Sequence, residues 1–280
     1  MAQNNLRILY DNVIDSSTLT ASSTTSGFPV SNLQKELKGL VWRSTSTTAT
    51  VTATWTTSQS LSCVILPFCN LTSSATIRVK LYTLTTDTTP VLDTGAVNAG
   101  AYTPTDLFGG WSNISTSGVN AYNYGGGTYA RSWFNATSAR KMEVIISDTT
   151  NPAGYIELSR IVCGAYWSPS INASFGVELG YLDTSEQRRT EAGNLITSNG
   201  TIHKTLTFNL DSITENDRPK MLSLIRGNGL RKALFVSVFP LDDDVVKEQS
   251  YQIYAKFNNL SVLTHQFYSL YSSSLTLEEI

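Results

Sequence analysis

The sequence predicts an all-β chain in two parts, and three observations carry that prediction. Apolar and polar residues alternate along much of the chain, most strictly in TATVTATW at residues 48–55, where Val51, Ala53 and Trp55 share one face. β-Branched and aromatic residues are abundant, while charged residues make up 15%, so Thr, Ser and Asn supply the polar surface. Helical spacing stands out at one place, through Met221, Leu222, Leu224 and Ile225. At 280 residues the chain has room for two domains, each with its own core.

The first part opens with a strand at residues 6–10, followed by a polar Thr- and Ser-rich stretch at 11–26. Residues 28–33 and 37–42 lead into the alternating strand at 48–55, where Trp42 and Trp55 are expected in the core. Residues 61–68 are almost continuously apolar, as in a strand covered on both faces. Residues 75–84 alternate again, with Ile77, Val79 and Leu81 inward and Arg78, Lys80 and Tyr82 outward. Residues 91–129 are irregular, and strands resume at 141–147 and 155–164. Short strands with long irregular connections predict a jelly-roll sandwich. Pro169 and its small polar neighbours form a linker, which divides the chain into residues 1–170 and 171–280.

In the second part, residues 202–210 place Ile202, Leu206, Phe208 and Leu210 on one face of a half-buried strand. Proline is harmless only in the first turn of a helix, so Pro219 puts the N-cap at Asn216 or Asp217, and Gly227 and Gly229 supply the stop. Strands follow at 233–239, 251–263 and 267–277. The expected domain is a β-sandwich or barrel with one short helix.

The net charge of −2 offers nothing to attract nucleic acid, and no apolar run approaches the roughly 20 residues of a membrane span. The N-terminus has no basic region before an apolar run, so folding in a cytoplasm without export is expected. Cys63, Cys69 and Cys163 lack metal-ligand spacing and are expected as buried free thiols. His203 and His265 are the two histidines, and no nucleophile, phosphate-loop, zinc or dinucleotide motif occurs. The expectation is therefore no enzyme, no cofactor and no metal.

Two stretches remain as candidate sites. Tyr102, Trp111, Tyr122, Tyr124 and Tyr129 lie among Asn, Ser and Gly, a mixture that serves loop packing, a protein contact or stacking on sugars. Asp242, Asp243 and Asp244 form either a solvated hairpin tip or an acidic ring facing the channel of an oligomer.

Diffuse patterns over most of the chain resemble a known group. Asn32-Leu33, Val41-Trp42-Arg43, the strand ending at Trp55, Val64-Ile65-Leu66, Asn70 and Ile77-Arg78-Val79 are similar to the first half of a discoidin or galactose-binding-like domain. Glu157 within residues 155–164, then Tyr166-Trp167-Ser168-Pro169, looks like its closing strand. Gln187-Arg188-Arg189-Thr190, the strand to Leu210, the helix and the closing strands resemble the tail-tube-like domain of bacteriophage distal tail proteins. The resemblance implies a structural protein of the virion. It would form a homo-oligomeric ring, a hexamer by family likeness, at the tail tip or baseplate, and meet tube, hub or fibre proteins. The alternative is a carbohydrate-binding module protein that attaches the virion to host glycans.

Overall fold

The computed structural model describes residues 5–102, 128–198 and 200–280. Its strands form a nine-stranded system, a seven-stranded sheet and a two-stranded ribbon. The all-β class holds. Among the described residues no helix is long and apolar enough to cross a membrane.

Two long strands, Thr48–Cys69 and Thr128–Ser147, organise the nine-stranded system. They pair antiparallel from Thr48↔Ser147 to Cys69↔Thr128, with register shifts between Thr54 and Gln59, Leu61 and Cys63, and Leu66 and Cys69. Such irregularities bend a strand, so the same pair serves both layers of a sandwich. One layer adds Thr18–Ala21 and Thr76–Tyr82. The other adds Val162–Gly164 and Glu157–Leu158, which in turn pairs with Trp42–Arg43. Trp42 and Trp55, at 0% and 3% exposure, lie in the core between the layers. Tyr82, expected outward, is buried instead, and its hydroxyl donates to Glu143 Oε2 at 2.8 Å. The three cysteines are free and buried, and burial pushes the Cys63 and Cys69 thiols up to about 12.

Several residues that carry the family resemblance meet at one end of this sandwich. Arg43 Nε and Nη2 both donate to Glu157 Oε2 across paired strands. Asn70 donates to Tyr155 O at 3.0 Å and accepts from Glu157 N–H at 2.8 Å. These contacts tie the late strand Glu157–Leu158 to the first half of the sandwich.

The seven-stranded sheet runs Arg7–Leu9, Leu234–Ser237, Gln252–Phe257, Leu270–Glu279, Ile202–Thr214, Glu178–Asp183, with Thr264–Phe267 also paired to Leu270–Glu279. Its first strand comes from the N-terminus. Arg7–Leu9 pairs with Leu234–Ser237, and Ile8 and Trp167 exchange backbone hydrogen bonds of 2.8 and 2.7 Å. The chain therefore enters and leaves the sandwich side by side, and the sandwich is an insertion after the first strand of the sheet unit. The strand expected at residues 6–10 forms at Arg7–Leu9, but it belongs to the second sheet. Gly164 lies at the crossing, where a Cβ would stand 2.5 Å from Asp11 O. Gly164→Ala is expected to destabilise by about 1–3 kcal/mol through overpacking; an unchanged denaturant midpoint would contradict that close approach.

The helix Arg218–Asn228 starts as Pro219 requires, with Asp217 at the N-cap position. The Asp217 carboxylate caps nothing, however. It accepts from Trp167 Nε1 at 3.3 Å, Ser170 N–H at 3.0 Å and Thr214 Oγ1 at 2.9 Å, which fastens the helix start to the linker. A second helix, Val245–Ser250, corrects the expectation of one. Asp244 is its N-cap and accepts from Val246 and Lys247 N–H, while Asp242 pairs with Lys247 at 2.7 Å. The run Asp242-Asp243-Asp244 thus lies, with Asp243 and Asp244 exposed, in the connection between the paired strands Leu234–Ser237 and Gln252–Phe257, and it leads into a helix that the expected hairpin tip did not include. Six residues are too few to show a helical stripe, but an Asp followed by Glu248 within the first turn is a legible start signal.

Candidate functional site

The outer face of one sandwich layer packs against the sheet unit. Cys63, Ile65, Phe68, Tyr129 and Val162 meet Leu9, Phe235 and Tyr254, all buried. Val64 and Leu66, between them in sequence, face the sandwich core. This explains the continuous apolar run at 61–68: one side is covered by the sandwich and the other by the sheet unit.

Polar groups bind this seam as well. Arg131 Nε and Nη2 reach Glu248 Oε1 and Oε2 at 3.0 and 2.6 Å, with the two side chains 11% and 0% exposed. Gln249 accepts from Tyr129 N–H at 3.0 Å and Thr128 Oγ1 at 3.2 Å, and donates to Gly100 O. Glu279 accepts from the Tyr129 hydroxyl at 2.7 Å and pairs with Lys38 at 2.9 Å. Burial lowers the Lys204 ammonium beside it to about 8. The short helix Val245–Ser250 is thus a clamp between the two units.

Of the candidate recognition residues, Trp111, Tyr122 and Tyr124 lie outside the described residues. Tyr102 is half-buried, and its N–H donates to Thr128 Oγ1 at 2.9 Å. Tyr129 is 4% exposed and committed to the seam, so its ring is not available to a ligand. Among the described residues no group of His, Cys, Asp or Glu could hold a metal ion. His203 Nε2 stands 3.0 Å from Glu278, and His265 stacks on Tyr271 at 4.6 Å.

The sheet unit carries an exposed surface feature. Glu186–Arg189 and Leu195–Ser198 form a ribbon that, among the described residues, pairs with no other strand, and every residue of both strands is exposed. A lone two-stranded ribbon is marginal in water, yet this one shows Leu195 and Ile196 at 53% and 55% exposure. It follows the edge strand Glu178–Asp183, which pairs on one side only and exposes Tyr181 at 65%. The sequence predicts long strands at 251–263 and 267–277. The chain there supplies Gln252–Phe257 and Leu270–Glu279, each paired on both sides, and the short strand Thr264–Phe267, an exposed edge that pairs with Leu270–Glu279 alone. The alternation at 202–210 gave no sign of which neighbour would be left unpaired.

No family model and no curated protein matches the chain. Solved structures do match over part of it. CpGH89CBM32-5 from Clostridium perfringens, in complex with GalNAc-β-1,3-galactose, is 9% identical over 55% of this chain and 100% of that one, at a TM-score of 0.39. The family 32 CBM from C. perfringens NanJ, in complex with galactose, is 9% identical over 57% and 99%, at 0.38. A Streptococcus pneumoniae fucose binding module is 12% identical over 55% and 95%, at 0.37.

Proposed function

We propose that this chain is a non-catalytic assembly protein whose sheet unit makes the contacts between copies while the inserted sandwich is carried on it. The observation that supports this is the exposed ribbon with its neighbouring edge strand. Unpaired backbone and exposed apolar residues on such an edge invite uncontrolled pairing, and a defined contact with a second copy satisfies both. Rotational closure into a ring keeps a head-to-tail contact from running on into a filament. The setting is the one the resemblance to distal tail proteins implies, a ring at a phage tail tip that meets tube, hub or fibre proteins. The test is the mass of the intact chain by light scattering, with negative-stain images. A closed ring of several copies is expected, and a monomer at every concentration would remove this reading.

A second reading gives the sandwich a glycan ligand. The feature that favours it is the concentration of Trp111, Tyr122 and Tyr124 among Asn, Ser and Gly, since flat rings stack on sugar faces and amides bond to hydroxyls. On a broad glycan panel, Trp111→Ala is expected to abolish binding and leave the thermal melt unchanged. A panel that is flat for the unaltered protein would retire the idea.

A further inference from the structure

The sheet face turned toward the sandwich carries a polar row. Arg7 stands opposite Ser237, and Ser237 opposite Gln252, on three adjacent strands. Residues opposite one another in an antiparallel pair share a face, with Cβ atoms about 4.5–5.5 Å apart. Leu9, Phe235 and Tyr254, two positions along, set that face against the sandwich. Ser237 and Gln252 are 0% exposed. Yet five buried polar atoms here have no hydrogen-bond partner among the described residues: Arg7 Nη1, Trp133 Nε1, Ser237 Oγ, and Gln252 Nε2 and Oε1.

The Arg7 guanidinium lies between two rings, 4.6 Å from the Trp133 centroid and 4.8 Å from that of Tyr166. Glu248, whose charge acts on Arg7, is already bonded to Arg131 and to the Leu241 N–H. A buried polar group left without a partner costs about 1–3 kcal/mol, so a row of this kind calls for an occupant. Its chemistry follows from the groups. A guanidinium, an indole N–H, an amide N–H and a hydroxyl suit the two oxygens of a carboxylate, which also neutralises Arg7 as water does not. Gln252 Oε1 can only accept, and an occupant with a hydroxyl beside its carboxylate supplies it a donor while leaving the Ser237 hydroxyl for the carboxylate.

We propose that Arg7, Trp133, Ser237 and Gln252 form a binding site for a small carboxylic acid with a neighbouring hydroxyl, seated between the sheet unit and the sandwich. This site is independent of the assembly reading. Glycolate presents the chemistry as a free acid, glucuronate presents it on a sugar ring, and acetate lacks the hydroxyl. In calorimetric titrations of the intact protein, glycolate is expected to bind saturably and more tightly than acetate. Arg7→Met removes charge-assisted bonds and is expected to weaken binding roughly ten- to a hundredfold. Glucuronate binding at least as tightly as glycolate would assign the site to an acidic sugar, and glycolate binding alone to a free acid. Gln252→Glu places a carboxylate in the row itself, so it is expected to raise the melting temperature and abolish glycolate binding. That variant carries the test on its own should Arg7→Met not fold. The proposal is overturned by the absence of saturable heat with all three acids, by equal heats from the unaltered protein and Arg7→Met, or by a lower melting temperature for Gln252→Glu.

Discussion

Replacing Arg131 with methionine is expected to cost about 3–5 kcal/mol, because it leaves the Glu248 carboxylate charged and buried without its partner. Glu248 is fully buried and spends both oxygens on Arg131, with Oε1 also accepting from Leu241 N–H at 2.9 Å. The loss is a seam effect, since Arg131 belongs to the sandwich and Glu248 to the helix Val245–Ser250 of the sheet unit. Adding Glu248→Gln should recover most of it. A neutral amide can be buried at far lower cost than a carboxylate, and its oxygen still accepts from Leu241. Urea melts of the single and double variants give the numbers. A single-variant loss below about 1 kcal/mol would mean that the pair is solvated like an ordinary surface salt bridge.

Trp42→Ala is the second large effect, at about 3–5 kcal/mol, the range for deleting a buried aromatic and leaving its cavity. Trp42 is wholly buried in the sandwich core, and its Nε1 donates to Thr24 Oγ1 at 3.2 Å. The strand that carries it is only two residues long and is held by Glu157–Leu158. Little backbone pairing resists collapse into the cavity, so the lost packing is the main term. A change below about 1 kcal/mol in denaturant midpoint energies would contradict the core position.

The parts of this fold that were legible in the sequence are those set by local period. Val51, Ala53 and Trp55 share a buried face as their alternation requires, and Pro219 fixed the start of the long helix to within a residue. The run at 61–68 signalled a strand covered twice, although nothing in it named the second cover. What stayed hidden depends on distant partners. Three residues, Arg7–Leu9, carry no mark of the strand 225 or more positions away with which they pair. Tyr129 looks the same in sequence whether it faces a ligand or, as here, a buried Glu279. Charge alone places the acidic run at 242–244 on the surface, where Asp243 and Asp244 are exposed, and capping is the added information, since Asp244 starts a second helix. The seam site had no local signature at all, since Arg7, Trp133, Ser237 and Gln252 come from four separated strands.

The central claim is that copies meet through the exposed ribbon of the sheet unit. The direct measurement is the light-scattering mass, across a concentration series, of the intact chain and of the chain carrying Leu195→Asp and Ile196→Asp. Both residues are more than half exposed and pack on no core of their own, so the substitutions should leave the thermal melt of the protomer unchanged. The account predicts a ring for the intact chain and a monomer for the variant. An oligomer of equal mass in both, or a monomeric intact chain, would contradict it.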